Sequence, residues 1–338
     1  MTQTIPTPQR PWQPSKTDRV ETLGVLVASF VLAGLTVEFT GLNGKLGFVV
    51  SLFFSLLLLN YGFYFQKQGK AAAKDSLLQV FTVMAIVLTL IPITSIIATV
   101  VSKGYKGLHW GILTKDMALA SVNDPIVAGG LGHALVGTIL MVGGALIISF
   151  PIGVLTALYL TEIRGPLARP IRFLVQAMSG VPSIVAGLFI YTTFVNYTNS
   201  FSGLAGSLAL AVLMLPTVAR TAEEVMKLVP DDLRSASYAL GARQWRTSLM
   251  VILPTVRSGL TTAGILGIAR VIGETAPLLL TSLSNNSYVF NPMGGPIGSL
   301  PTYVFGLLQI GTENSINRAW TGSLVLMLLV LVLFLTAR

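Results

Sequence analysis

Charged residues, cysteine and histidine are all scarce in this sequence. The 22 Lys and Arg residues and 13 Asp and Glu residues make up 10% of the 338-residue chain, whereas soluble domains average roughly 25%. Cysteine is absent, which excludes a disulfide framework and a thiolate metal site. The two histidines, His109 and His133, are too far apart in sequence to bind a metal from neighbouring turns of one helix. The sequence therefore predicts no metal site.

The sequence also lacks an ATP-binding motif. A phosphate-binding loop requires Gly-Lys followed by Ser or Thr, but the two Gly-Lys pairs continue with Leu46 and Ala71. With two histidines and no cysteine, no nucleophile, base and acid form a recognisable catalytic set. We expect no enzymatic activity from this chain. Any process that it drives must therefore take its energy from a partner protein or from an ion gradient.

Apolar residues are abundant instead. They make up 53% of the chain, and the mean hydropathy is +0.76. A transmembrane helix needs about 20 consecutive apolar residues. Eight stretches meet this requirement: 23–42, 46–65, 76–102, 131–161, 173–195, 203–222, 256–283 and 319–337. The sequence thus predicts an all-α, polytopic membrane helical bundle with about eight transmembrane helices.

Membrane topology accounts for the net charge of +9. If the N-terminus is placed in the cytoplasm and the eight spans alternate, sixteen Lys and Arg residues fall on the inner side and five on the outer side. This bias follows the positive-inside rule, so both termini are predicted to be cytoplasmic. The basic residues are dispersed rather than clustered on one face, so nucleic-acid binding is not expected.

The longest inner loop, residues 221–258, has the pattern of two short helices joined by a turn. Pro230 and Asp231 favour a helix start, and Gly241 favours its end because glycine tolerates the left-handed conformation. Pro254 marks the return into the membrane. The apolar face of these helices fits an amphipathic loop on lipid headgroups or a docking device, and the residues alone leave both interpretations open.

Arg270 and Glu274 are ionisable residues well inside a predicted span. An arginine at this depth costs on the order of several kcal/mol, so it is expected to face the bundle interior or water and to have a partner. Glu274 follows four residues later, on the same helical face. The pair can pin helices together, or it can line an anion path, because a guanidinium can hold two phosphate oxygens at once.

Arg220 and Glu223 form a second candidate set at the inner end of the span 203–222. Arg220 is either a headgroup anchor or a second guanidinium at the cytoplasmic exit of an anion path, with Glu223 as its counter-ion. Glu162 is interpreted as an interfacial charge at a helix end. His133 is interpreted as a structural cap rather than a proton-transfer group.

Part of the inner loop resembles the permease loop motif of ABC importers, E-A-A-x3-G-x9-I-x-L-P. The matching positions are Ala236, Gly241, Leu253 and Pro254. The sequence departs from the motif at Ser235 and Ser237, where the family usually has Glu and Ala. The resemblance implies that this loop docks into a groove of a cytoplasmic ATPase, with Gly241 as the hinge of the docked turn.

Longer segments resemble the PstA-type permeases of phosphate ABC importers. They read VPSIVAGLFIY from residue 181, LPTVARTAEEVMKLVPDDLRSASYALGA from residue 215 and GIARVIGETAPLLLTSLSN from residue 267. The resemblance covers about residues 76–338 and implies a six-helix type I permease core there, with the coupling loop 221–258. A polar tail at 1–22 and a two-helix extension at 23–75 precede this core.

The resemblance implies a multi-pass subunit of an ATP-driven importer for inorganic phosphate in the bacterial inner membrane. Its implied partners are a PstC-like permease, a PstB-like ATPase dimer and a PstS-like phosphate-binding protein. ATP and Mg are expected on the ATPase, and no cofactor is expected in this chain. A permease for sulfate or molybdate is one alternative. A stand-alone secondary anion carrier is another, although the two related halves typical of such carriers are not apparent.

Overall fold

A computed structural model of the protein describes residues 16–42 and 44–337. Throughout this part of the chain the regular structure is helical, with no β-strand, which confirms the predicted all-α class. The helices are α1 Lys16–Thr40, α2 Gly44–Gln68, α3 Lys70–Gly104, α4 Gly132–Leu158, α5 Ala168–Ser179, α6 Ser183–Ile190, α7 Asn196–Thr198, α8 Gly203–Lys227, α9 Asp231–Ala239, α10 Gln244–Thr247, α11 Leu253–Thr255, α12 Arg257–Val271, α13 Ala276–Thr281, α14 Leu300–Ile310 and α15 Glu313–Ala337. Three π-helical segments extend or link helices, at Tyr159–Ile163, Tyr191–Val195 and Ser248–Ile252.

Six described helices are long and apolar enough to cross a membrane, and up to eight spans result if two bent helix pairs each count as one. The first pair, Ala168–Ser179 with Ser183–Thr198, bends by 106°. The second pair, Gln244–Thr255 with Arg257–Val271, bends by 73°. The predicted multi-pass helical bundle is confirmed, and the cytoplasmic placement of its termini stays a prediction.

Two predicted spans are interrupted rather than continuous. In the span predicted at 256–283, α12 ends at Val271 and α13 begins at Ala276, with non-helical residues between them. Pro277 fits this break, because proline clashes with the preceding turn of a continuous helix but is tolerated in the first turn of a new one. In the span predicted at 173–195, Pro182 lies in the extended conformation between α5 and α6, so it separates two helices instead of kinking one.

The chain divides inside α3 into two compact units, up to Ile97 and from Ala98 onward. In the first unit α1 packs against α2, with the rings of Phe30 and Phe48 6.1 Å apart. Residues 1–15 of the predicted polar tail lie outside the described residues, and α1 already begins at Lys16. The predicted domain boundary between residues 75 and 76 stays a prediction.

Helix α8 is the centre of the second unit, where it packs against α4, α5, α6, α12 and α13. Glycines permit the closest approaches. A Cβ placed on Gly153 of α4 or on Gly267 of α12 would lie 2.8 Å from a methyl group of Val218 on α8, so any larger residue would push these helices apart. Arg220 and Glu223, the candidate residues at the inner end of an anion path, lie on α8. This packing therefore fixes their position relative to α12.

In the second unit α14, α15 and the loop between α3 and α4 pack against one another. Arg318 of α15 is 1% exposed and donates hydrogen bonds from Nη2 to the carbonyl oxygens of Asp124, at 3.1 Å, and Pro125, at 2.8 Å. It therefore ties the loop to α15. Helix α14 has only 11 residues, which is too short to span a membrane.

Candidate functional site

Arg270 and Glu274 form an ion pair at the break between α12 and α13. Arg270 lies in the last turn of α12, and its Nη1 donates a hydrogen bond to Oε1 of Glu274. Within the described ranges no other residue bonds to this guanidinium, whose remaining N–H donors are available. In this chain alone the Arg270 side chain is 48% exposed and that of Glu274 is 17% exposed. The pair therefore lies on an open face of the second unit.

The break, rather than a continuous helix face, brings these two residues together. The sequence predicted one helix through both positions, but the chain leaves the helix after Val271 and Glu274 belongs to the connecting segment. Helix α13 packs closely against α6 at Gly187. A Cβ at that position would lie only 2.6 Å from Cα of Pro277, so only glycine fits there. The position of the carboxylate thus depends on packing at both sides of the break.

Glu223 pairs with residues other than Arg220. Its Oε1 accepts hydrogen bonds from Arg172 of α5, with Nη2 at 2.9 Å, and forms an ion pair with Nζ of Lys227 at 2.7 Å. Arg220 is exposed and has no hydrogen bond or ion pair with a described residue, so the expected Arg220–Glu223 pairing is not present. The i,i+4 spacing could have revealed Lys227. Arg172 is 51 residues away and gives no local signal.

The inner loop has the predicted form of two short helices and a turn. Helix α9 begins at Asp231 and ends at Ala239, and the second helix runs from α10 through a π-helical segment to α11. Gly241 lies in the turn with φ +77°, which confirms the expected left-handed glycine. Of the other motif positions, Ala236 and Pro254 are exposed, whereas Leu253 packs partly against the core at this end of the bundle.

One departure from the loop motif has a visible contact. Ser237 stands where the resemblance places Ala, and its Oγ lies 2.8 Å from Oγ1 of Thr247 on α10. Thr247 is 1% exposed, so its hydroxyl needs a protein partner. The serine therefore links the two helices of the loop across the Gly241 turn.

A buried ion pair joins this loop to the end of α4. Nη2 of Arg234 lies 2.9 Å from Oε1 of Glu162, and the two side chains are 12% and 4% exposed. Arg234 also donates to the carbonyl oxygens of Val229 and Met226, and Gln244 donates to the carbonyl oxygen of Glu162 at 2.7 Å. Hydrogen bonding to the Glu162 carboxylate raises the pKa of Arg234, so this guanidinium stays charged. Both helices of the loop are thus hydrogen-bonded to Glu162.

Sequence reasoning did not identify this connection. It interpreted Glu162 as an interfacial charge, but the side chain is buried against a residue 72 positions away. His133 also differs from its interpretation as a cap, because it makes no capping hydrogen bond at the start of α4. It is 3% exposed, and its ring packs edge-on against Tyr303 with 5.5 Å between centroids.

The described chain is a multi-pass helical bundle with a charged pair at a helix break and an ordered two-helix loop, and its relatives show that its class is that of membrane transport permeases. The family described as "Binding-protein-dependent transport system inner membrane component" matches residues 149–338. A chain from inward-facing structures of the MetNI methionine ABC transporter is similar in fold, with a TM-score of 0.50 and 21% identity over 62% of this chain and 91% of that chain.

Curated relatives are closer in sequence. The phosphate transport system permease protein PstA of Pasteurella multocida is 36% identical over 78% of this chain and 93% of its own length. Its namesake from Yersinia pestis is 37% identical over 81% of this chain and 92% of its own length. The chain therefore belongs to the binding-protein-dependent inner membrane transport family and, within it, to the PstA-type permeases. Members of this family are multi-pass permease subunits and are not themselves catalytic.

Proposed function

We propose that this chain is the permease subunit of an ATP-driven importer for inorganic phosphate and forms half of its translocation path. The Arg270–Glu274 pair carries the proposal, since it is an ionisable pair at a break in the membrane segment with its guanidinium half-exposed. A buried structural pair has no open donors, whereas this guanidinium keeps several. The relatives named as phosphate permeases support phosphate as the substrate.

The two side chains have complementary tasks in this proposal. The planar guanidinium of Arg270 binds two phosphate oxygens at once. Glu274 offsets part of the positive charge, so the anion is not held too tightly to leave. Its carboxylate also accepts a hydrogen bond from a protonated phosphate oxygen, and sulfate has no such proton at neutral pH. This contact favours phosphate over sulfate and molybdate.

Membership of the permease family supports the proposed partners and energy source. A PstC-like permease would complete the open face that carries Arg270, and a PstS-like protein would deliver phosphate on the outer side. A PstB-like ATPase dimer would bind ATP and Mg and would dock on the coupling loop around Gly241. The charge bias supports a cytoplasmic position for that loop and for both termini, where ATP is available.

Uptake of labelled phosphate into membrane vesicles that contain the assembled complex tests this function. We expect Arg270→Gln to lower the rate at least tenfold, because a hydrogen bond to a charged group contributes about 1.5–3 kcal/mol. Glu274→Gln is expected to weaken discrimination against sulfate. Arg257→Gln, the same substitution at the exposed start of α12, serves as the control and should transport normally.

Three outcomes would contradict the proposal. Wild-type uptake by Arg270→Gln would remove the pair from the path. Competition by sulfate or molybdate as effective as that by phosphate would indicate a permease for another oxyanion. ATP-independent uptake by the purified chain alone would indicate a stand-alone carrier.

A further inference from the structure

A cleft of about 580 Å³ lies where the end of α4, the start of α5 and the end of α8 meet. Four of the residues that line it are cations: Arg164, Arg169, Arg172 and Lys227. It is at the same end of the bundle as the coupling loop, because the π-helical end of α4 contacts both. The motif residues and the Arg270–Glu274 pair do not line this cleft.

The cations in the cleft are not balanced by protein carboxylates. Arg172 and Lys227 share the single carboxylate of Glu223. In the part of the chain that the structure describes, Arg164 and Arg169 have no acidic partner, and Nε of Arg164 donates instead to the carbonyl oxygen of Thr161 at 2.7 Å. The local surplus of positive charge is unfavourable for the empty cleft and favourable for an anion within it.

We propose that this cleft binds a phosphate group, carried either by an anionic lipid headgroup or by a free phosphate ion. The cleft is larger than one phosphate ion, and Arg164 and Arg169 are exposed at it, so both sources are accessible. Phe173 and Leu174 on α5 are 71% and 58% exposed, which fits acyl chains beside a bound headgroup. The lipid source depends only on membrane insertion, whereas the free-ion source rests on the proposed phosphate transport.

The expected ligand follows from the chemistry of the cations. Guanidinium groups bind phosphate oxygens in bidentate geometry, and a cation near an anionic surface contributes about fivefold in affinity. Removing the charges of Arg164 and Arg169 together is therefore expected to weaken binding about 25-fold. Because neither residue is tied to Glu223, this change leaves the Arg172–Glu223–Lys227 cluster in place.

Binding measurements on the full chain in its assembled complex test the cleft with two separate probes. Phosphatidylglycerol in phosphatidylcholine nanodiscs, followed by native mass spectrometry, reports the lipid source, and titration of inorganic phosphate by calorimetry reports the free ion. Both measurements use the Arg270→Gln background. Phosphate bound at the proposed translocation path then does not contribute to the signal. The test variant is Arg164→Gln with Arg169→Gln, and the control is Arg243→Gln with Arg257→Gln, two exposed cations outside the cleft.

A loss of about 25-fold for one probe, with the control within twofold of the Arg270→Gln background, supports the proposal and identifies the source. Replacing Arg164 and Arg169 by Lys should weaken binding less than replacement by Gln, because lysine keeps the charge but loses the bidentate geometry. Unchanged binding of both probes to the Gln variant would overturn the proposal. An equal loss in the control would also overturn it, because the effect would then belong to diffuse surface charge.

Discussion

At the scale of single residues, burial separates two kinds of charge in this bundle. Glu162, Arg234 and Arg318 are nearly inaccessible, and each is held by protein hydrogen bonds. Arg270 differs, since nearly half of its side chain is exposed and a single carboxylate engages it. Burying a charge is costly unless it is paired or hydrogen-bonded, so we interpret these protein-bonded charges as structural. The open one is the candidate for contact with a transported anion.

The Glu162–Arg234 pair gives a prediction at this scale. Glu162→Gln removes the only buried carboxylate that pairs with Arg234 in the described residues, which is expected to cost about 3–5 kcal/mol in stability at the loop. Because the pair joins the loop to α4, we also expect less phosphate transported per ATP hydrolysed by the assembled complex. Both quantities can be measured, by thermal unfolding and by parallel uptake and ATPase assays.

Asp231→Asn is the matched control for this prediction. Asp231 also pairs with Arg234, at 3.0 Å, but its side chain is 89% exposed. Exposed ion pairs contribute about 0–1 kcal/mol, so this variant should resemble the wild type. Equal transport per ATP in Glu162→Gln and wild type would show that the pair does not transmit motion.

At the scale of elements, the sequence indicated helices well but not their interruptions. Long apolar runs predict spans because the bilayer requires about 20 apolar residues. The break after Val271 lies inside such a run, and only Gly273 and Pro277 mark it. The form of the coupling loop was easier to predict, since Asp231 and Gly241 act through local backbone chemistry. Contacts such as Arg172–Glu223 join distant segments, and one sequence without its packing cannot supply them.

Gly241 gives a prediction at the element scale. Its φ of +77° is unfavourable for any residue with a Cβ, although nothing lies within 4 Å of the position. Gly241→Ala is therefore expected to cost about 1–2 kcal/mol through the backbone alone and to weaken docking of the ATPase. Gly143→Ala is the control, because that helical glycine also has open space but no positive φ. Co-purification of the ATPase with each variant measures the effect, and equal recovery would exclude a docking role for this turn.

At the scale of the whole molecule, the distribution of charges predicts an orientation in the membrane that the fold alone does not give. Sixteen of the 22 Lys and Arg residues lie on one side of the predicted topology. The coupling loop, the buried Arg234 and the basic cleft share that side. If these features serve an ATPase and a negatively charged inner leaflet, they must face the cytoplasm. The exposed face that carries Arg270 is the one that the proposed second permease would cover.

The absence of cysteine makes this orientation directly testable. A single Ser235→Cys in the coupling loop and a single Ser287→Cys in the loop after α13 each introduce the only thiol of the chain, and both positions are exposed. In right-side-out vesicles a membrane-impermeant maleimide is expected to label Ser287→Cys and to leave Ser235→Cys unlabelled, with the opposite result in inverted vesicles. Labelling of Ser235→Cys from outside would place the loop away from ATP. Because no ATPase could then dock on it, that single result would contradict both the predicted topology and the coupling role of the loop.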